Sequence, residues 1–302
     1  MHMQQAPATT KIRKWYNLTL ANLGILRPSF SRSLKNSEYY ALKLRLKKRV
    51  SISRASQVVF LLPLVRRSQV DNWPLVESNL NKTLKSFLGQ TNPNWIAIIC
   101  GQDQPNISYE GRVHFLEFKA KTTGNDKWAK LAELVNYFPQ VAQPSGYVMT
   151  FDADDLAHCN LVEIFLKNQH PNGYLIDHGV IHDIAAGNFG QAGTPTLYKP
   201  LRKPFWKLCG SCATFRYDVN EHKLLQDFIR ATSQHEHRMF PYLASLAGRP
   251  LHKLEGNLVI YEFNHGENFG LRRKRGNFKS RFAKRFKIND PSILKGLTKN
   301  FG

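Results

Sequence analysis

Three carboxylates lie within four positions at the end of an apolar segment. The stretch GYVMTFDADD ends in Asp152, Asp154 and Asp155. One of them could cap a following helix, but neighbouring carboxylates at a semi-buried strand end repel one another unless they share a cation. Magnesium and manganese ions take oxygen ligands and keep positions open for phosphate oxygens. We therefore expect a divalent metal that carries a diphosphate, with Asp152 and Asp154 as ligands.

The segments before this acidic motif alternate between predicted strands and helices. Short apolar runs predict four strands, and apolar residues at helical spacing predict two helices between them. The strands fall at 58–65, 94–100, 112–118 and 146–151, and the helices at 75–90 and 125–138. This order is typical of an α/β fold with a mostly parallel sheet flanked by helices. Ligands of such folds bind beyond the carboxyl ends of the strands, where the acidic motif lies.

The positive charge of the chain is concentrated at its two ends. The net charge is +21, and residues 1–54 carry 12 Lys and Arg against one acid, while residues 271–302 carry 11 against one. Residues 55–270 are neutral, with 20 basic and 20 acidic side chains. The chain is therefore divided into a basic N-terminal extension (1–54), a body (55–270) and a basic C-terminal tail (271–302), whose partners need not be those of the body.

Four segments, in this order and spacing, resemble the nucleotide-binding half of GT-A glycosyltransferases, family 2 in particular. They are VVFLLPLV, LNKTLKSFLGQTNPNWIAIICGQDQP, TTGNDKWAKLAELV and GYVMTFDADD. The resemblance covers residues 57–165 and continues more weakly to about 270, so it implies a nucleotide-sugar half at 55–165 and an acceptor half at 166–270. The acidic motif and CGSCATFRYD also resemble bacterial rhamnosyltransferases, a looser match.

The resemblance implies where the donor binds. Pro63 and Asp103 would contact the nucleoside, and Lys127 and Lys130 would lie over the base and ribose. The first and second carboxylates of the Asp-x-Asp pair would hold the ribose and the metal on the diphosphate. The chain departs from the family at Gln102, because the second strand of the family commonly ends in two adjacent acids.

The second half of the body supplies the expected acceptor side. TSQHEHRMFPYLASLAG predicts a helix capped by Thr232 or Ser233, and inverting family members place a general base in such a segment. Glu236 is the candidate base, with His235 as the reserve because its ordinary pKa lies near neutral pH. The alternative role for Glu236 is to interact with the helix dipole. His265 follows the last predicted strand and is the candidate third metal ligand, or else a solvated loop residue.

These features predict a metal-dependent inverting hexosyltransferase. It would use Mn²⁺ or Mg²⁺ and a nucleoside diphosphate sugar, and its acceptor would be a glycan or a lipid-linked glycan in bacterial polysaccharide or glycolipid synthesis. The N-terminal residues contain no apolar core of signal-peptide length, and the longest apolar run, VVFLLPLV, is far shorter than a membrane span. We therefore expect a cytoplasmic protein, peripheral on the inner face of the membrane.

Two other function classes are open to the sequence. VMTFDADD also fits a haloacid-dehalogenase-like phosphatase with Asp152 as nucleophile, but residues 156–302 contain no adjacent acidic pair of the kind that class needs. A nucleic-acid-binding protein would explain the basic ends, but the body is neutral and carries no finger, RRM or helix-turn-helix signature. CGSC has the spacing of a redox or zinc half-site, yet no second pair matches it, so we expect buried thiols.

The basic ends carry apolar residues at regular spacing. Phe278, Phe282 and Phe286 recur every four residues within a basic tail, which predicts a helix that lies on an anionic membrane surface. The alternative is a tail whose phenylalanines pack on the body. In the N-terminal extension, ALKLRLKKR alternates leucine with cations and could serve the same surface.

Overall fold

The computed structural model describes residues 5–30, 34–48, 53–108, 111–221, 223–267 and 276–301. Eleven strands are described: β1 (Gln57–Pro63), β2 (Trp95–Gly101), β3 (Val113–Glu117), β4 (Ser145–Thr150), β5 (Leu156–Ala157), β6 (Tyr174–Ile176), β7 (Gly179–Asp183), β8 (Asn188–Ala192), β9 (Thr214–Asp218), β10 (His252–Leu254) and β11 (Val259–Phe263). Nine α-helices are described: α1 (Lys11–Asn22), α2 (Asn36–Leu46), α3 (Trp73–Leu88), α4 (Lys127–Tyr137), α5 (Leu161–Asn168), α6 (Lys223–Ser233), α7 (Phe240–Leu246), α8 (Gly276–Arg285) and α9 (Pro291–Asn300).

The central sheet has the order β3-β2-β1-β4-β9. Its first four strands are parallel, as the sequence predicts, and β9 runs antiparallel to β4 at the edge. A second sheet of order β5-β11-β7-β8 contains one parallel and two antiparallel pairings, and β6 pairs with β10. The α/β class with helices around a central sheet is confirmed, but the sheets are mixed, so the prediction of a mostly parallel sheet holds only for β1 to β4.

The apolar faces predicted for the two helices of the first half are buried. α3 buries Leu80, Leu84 and Phe87, and the ring of Phe87 stacks on Phe60 of β1 with 4.1 Å between ring centroids. α4 packs against β1 and β2, and α5 packs against β1. β1 and β4 pair in parallel along their length, so their carboxyl ends lie side by side.

Both basic ends pack on the body wherever the structure describes them. α2 contacts α6 and α7, and α8 contacts β7 and β8. Phe282 is buried, whereas Phe278 is 42% exposed. The phenylalanines of the tail therefore include a packing residue, which is the alternative stated above. Contact of this tail with a membrane stays a prediction, as do the boundaries at residues 54 and 271.

None of the described helices combines the length and the apolar composition that are needed to cross a bilayer.

Candidate active site

A cavity of about 290 Å³ opens where β1 and β4 end. Pro63 is the last residue of β1, and Asp152 is the second residue after β4. The titratable side chains around the cavity come from segments far apart in the chain. They are Asp126, Lys127, Asp152, Asp154, His237, Tyr261, His265, Glu267 and Lys279.

Asp152 is paired with a lysine at the start of α4. Its Oδ1 accepts a hydrogen bond from Lys127 Nζ at 2.5 Å, and its backbone N–H donates to Ser211 Oγ at 2.8 Å. Burial disfavours the charged forms of both partners, but their mutual attraction outweighs it, so the pKa of Asp152 is lowered and that of Lys127 is raised. A carboxylate and an ammonium group thus stand together at the cavity wall.

Asp154 faces a histidine from the loop after β11. Its Oδ2 lies 2.9 Å from His265 Nε2, and the Nδ1 of the same ring lies 3.2 Å from Asn79 Nδ2 on α3. The contact with Asn79 fixes the plane of the imidazole. The sequence-predicted metal ligands Asp154 and His265, 111 positions apart in the chain, are therefore brought together.

Asp155 points into the core instead of the cavity. Its Oδ2 accepts hydrogen bonds from Ser211 Oγ at 2.5 Å and from Cys209 Sγ at 3.2 Å. Burial, reinforced by the charges of Asp154 and Asp152, raises the pKa of Asp155 well above its usual range. Asp155 is thus held by the core and is not available as a ligand in the cavity.

The proposal that one of these carboxylates caps the next helix is wrong. α5 begins at Leu161, and Asn160 occupies its N-cap position. The short strand β5 separates the acidic motif from that helix. The expectation of buried thiols is confirmed, because Cys209 and Cys212 are both free and buried.

The donor set fits a metal with few protein ligands. Within the described residues, no group of three His, Cys, Asp or Glu side chains is arranged to hold a metal ion. Magnesium and related ions are often held by one or two protein groups plus water and phosphate oxygens. Asp154 and His265 lie together at the cavity wall, but they are hydrogen-bonded to each other, so metal binding would require that contact to open. Asp152 is committed to Lys127, so its predicted role as a ligand would require that ion pair to open.

Two of the predicted donor contacts lie behind the cavity. Lys130 is fully buried and donates to the carbonyl of Leu64 at 2.5 Å and to Asp126 Oδ1 at 2.9 Å. Asp103 Oδ2 accepts from the backbone N–H of Arg67 at 2.9 Å. Both residues hold the loop that follows β1, whereas Pro63 and Lys127 line the cavity itself.

The segment with the predicted base follows a different path from the one expected. α6 extends to Ser233 and a short 3-10 turn covers His237–Met239, so Thr232 and Ser233 end one helix instead of capping the next. His235 Nε2 is hydrogen-bonded to Ser37 Oγ of α2 at 2.7 Å. Neither His235 nor Glu236 is among the residues that line the cavity, and His237 is.

His237 is the cavity residue that sequence analysis missed in this segment. Burial, with a smaller contribution from Arg238, lowers the pKa of His237 to about 4, so the ring is neutral at neutral pH. Its Nε2 is buried and has no hydrogen-bond partner among the described residues. The run HEH offers three adjacent candidates, and only the path of the chain between α6 and α7 selects one.

Lys279 was also missed, because it belongs to the tail. Its Nζ donates to the hydroxyl of Tyr261 on β11 and lies 4.1 Å from the centroid of that ring. Burial lowers the pKa of Lys279 and raises that of Tyr261 well above its usual range. A basic residue of the tail thus lines the same cavity as Asp152 and Asp154.

Comparison with known proteins adds little to this geometry. No protein-family model matches the sequence, and no curated protein matches it. One solved structure that resembles the chain is that of the glycosyltransferase GlyE from Streptococcus pneumoniae TIGR4, with a TM-score of 0.38 and 12% identity over 76% of this chain and 51% of that one. This chain thus spans about half the length of GlyE. A likeness this distant assigns neither a family nor an activity.

Proposed function

We propose that this protein is a glycosyltransferase that transfers a sugar from a nucleoside diphosphate to an acceptor hydroxyl with inversion. The observation that carries the proposal is the make-up of the cavity. The Asp154–His265 pair, two atoms 2.9 Å apart, lines the same cavity as Lys127 and Lys279. A divalent metal held by that pair would, together with the two ammonium groups, offset the charge of a diphosphate.

The donor would enter across the end of β1. Pro63 and the loop after it would contact the nucleoside, and Asp152 would accept a hydrogen bond from the ribose, as the resemblance to family 2 implies. Lys130 and Asp103 do not line the cavity. They hold that loop in place through hydrogen bonds to the backbone of Leu64 and Arg67. They are positioning residues in this proposal.

The metal would be held by Asp154 and His265. When bound, Mn²⁺ or Mg²⁺ offsets the negative charge that grows on the departing diphosphate. Lys279 would donate to a diphosphate oxygen in place of the Tyr261 hydroxyl, which strengthens the same stabilisation.

His237 is the general base in this proposal, in place of Glu236 and His235. The acceptor oxygen attacks the anomeric carbon, its proton passes to His237 Nε2, and the bond from that carbon to the diphosphate oxygen breaks with its electron pair on the diphosphate. The unpartnered Nε2 in the cavity wall supports this role.

The acceptor in this proposal is a glycan or a lipid-linked glycan of bacterial polysaccharide or glycolipid synthesis. We place the enzyme in the cytoplasm, at the inner face of the membrane. Nucleic acid is not an expected partner, since the residues that line the cavity carry both signs of charge.

Nucleotide binding tests the proposal directly. We expect UDP, GDP or dTDP to raise the melting temperature in the presence of Mn²⁺, because a ligand that binds only the folded state stabilises it. The variant Asp154→Asn should lose the manganese-dependent part of that shift. Asp227→Asn is the matched control, because Asp227 forms an ion pair with Arg230 on α6 and is not a cavity residue. If no nucleotide shifts the melting temperature, or if the Asp154 variant responds like the control, the proposal is wrong.

A further inference from the structure

The outward face of α1 carries large apolar side chains at helical spacing. Ile12, Trp15, Tyr16 and Leu23 are 82%, 69%, 55% and 66% exposed. Their separations of three, four and eleven residues place them along one side of a helix with 3.6 residues per turn. Exposed apolar residues that occur singly are ordinary, whereas a contiguous stripe of them marks an interaction surface.

The inward face of the same helix contacts the body through polar and apolar residues. Asn17 is buried and donates to the hydroxyl of Tyr242 on α7 at 3.0 Å. Ala21 is the other buried residue of α1. Leu18 is half-buried and packs against the core. The helix therefore docks on the body through one face, while the large apolar side chains of its outward face stay exposed to the solvent.

Cations lie beside the stripe. Lys11 and Arg13 are exposed in the first turn of α1, directly after the N-cap residue Thr10. Cations at a helix N-terminus oppose the helix dipole, so they do not stabilise the helix. The sequence has no acidic residue before Glu38, which is itself buried. The outward face of α1 is therefore apolar and is flanked by these two cations, while Glu236 lies near Lys14 of the same helix.

The segment of the N-terminal extension that the sequence predicted to lie on a membrane does not have this character. Leu42 and Leu44 of α2 are buried, because α2 packs on α6 and α7. Two of the three leucines in ALKLRL thus serve the core. Leu46 at the end of α2 is 61% exposed, and the longer exposed apolar stripe lies on α1.

We infer that the outward face of α1 binds an anionic lipid bilayer. A helix in the plane of a membrane places tryptophan and tyrosine at the headgroup level and its cations against anionic headgroups. A second copy of this chain fits the surface less well, because two molecules with a net charge of +21 each repel one another. Lipid binding by α1 is independent of the sugar-transfer proposal, because the assay below contains no donor.

Vesicle sedimentation of the full chain tests the inference. We expect binding to phosphatidylcholine vesicles with about 30 mol% phosphatidylglycerol and weak binding to pure phosphatidylcholine. The variant Ile12→Gln/Trp15→Gln/Tyr16→Gln should lower the partition coefficient about tenfold or more. Lys11→Gln/Arg13→Gln should lower it by about fivefold for each cation. Leu88→Gln/Val219→Gln removes exposed apolar residues of other segments and should bind as the unsubstituted protein does.

Tryptophan fluorescence provides a second measurement on the unsubstituted protein. Anionic vesicles should shift its emission to shorter wavelength, and Trp15→Phe should remove most of the shift, because Trp73, Trp95 and Trp128 are buried and Trp206 is half-buried and bonded to Asp177. The inference is overturned if the α1 triple variant binds as tightly as the control variant, or if the unsubstituted protein does not bind anionic vesicles. It is also overturned if the stripe mediates a dimer in solution and that dimer does not sediment with vesicles.

Discussion

Three neighbouring aspartates occupy three different environments in this protein. Asp152 is paired with Lys127, Asp154 faces His265, and Asp155 is bonded to Ser211 and Cys209 inside the core. The differences arise from direction, because successive residues of the turn after β4 point to the cavity wall, to the loop after β11 and into the core. The electrostatic repulsion that suggested a metal is therefore relieved by the protein itself, and the case for a metal depends on the Asp154–His265 pair.

Replacement of Lys279 tests whether the tail contributes to donor binding. Lys279→Gln should raise the Kd of the best-bound nucleoside diphosphate about tenfold, as expected for the loss of one charge-assisted hydrogen bond. Lys284→Gln on the same helix is exposed and should leave the Kd unchanged. Isothermal titration calorimetry with Mn²⁺ present measures both, and equal Kd values would remove Lys279 from the site.

His237 and Glu236 can be told apart by kinetics. His237→Gln should lower kcat by about a hundredfold or more with little change in KM for the donor, because a general base acts in the chemical step. Glu236→Gln should keep most of the activity, because Glu236 is not a cavity residue. Steady-state rates of both variants, measured with a donor and an acceptor that the unsubstituted enzyme uses, distinguish the two residues. A larger loss of kcat in Glu236→Gln would restore Glu236 as the base.

At the scale of the elements, the connection between α6 and α7 joins the N-terminal extension to the body. His235 in this connection is bonded to Ser37 of α2, while His237 two residues later reaches the cavity. Alternate residues of this short connection thus face opposite directions. A mutation that disturbs α2 is expected to affect the cavity through this connection, although α2 itself does not line it.

The buried histidines of this connection should make the stability of the protein depend on pH. Burial lowers the pKa of His235 from 6.5 to about 4 in the folded protein, so the unfolded chain binds more protons between these values. The free energy of unfolding is therefore fully retained above pH 6.5 and falls as the pH drops towards 4, by on the order of 3 kcal/mol for this group. His237 adds a dependence of the same sign.

Urea unfolding at pH 7.5 and pH 5 measures this dependence. The variant His235→Gln should lose less stability between the two values than the unsubstituted protein, because glutamine does not titrate. An identical loss in both proteins would show that His235 is not the group responsible.

At the scale of the whole molecule, the tail packs against the second sheet. Ile288, Leu297 and Phe301 are buried with Val180 of β7 and Ile260 of β11 in a small apolar cluster. α8 then presents Lys279 to the cavity from the same side. Removal of the tail would therefore expose core residues and a cavity wall together, so a truncated chain is a poor probe of membrane binding.

Two substitutions in α9 and just after it measure how much the tail stabilises the fold. Phe301→Ala should lower the free energy of unfolding by about 3 kcal/mol, within the range for buried phenylalanines, because the ring is 4% exposed. Ile293→Ala is the control, since Ile293 is 41% exposed and should cost well under about 1 kcal/mol. Equal and small effects in thermal or denaturant unfolding would mean that the tail is not part of the cooperative unit.

The sequence by itself determined the elements of the first half and the position of the acidic motif. Periodicity located β1 to β4, α3 and α4, because a strand or helix with one buried face must repeat its apolar residues at that period. It also placed Asp152 and Asp154 beyond the end of a strand. These features depend on residues close together in the chain, and local spacing therefore specifies them.

Only the tertiary structure decided which distant residues meet at the cavity. Lys279 and His237 reach it, whereas Lys130, Asp103, His235 and Glu236 do not line it. It also decided that α2 is buried and that the apolar stripe lies on α1. The physical reason is that these outcomes depend on how helices dock and in which direction loops turn, and a one-residue change in direction moves a side chain from the core to the cavity without any trace in its local pattern.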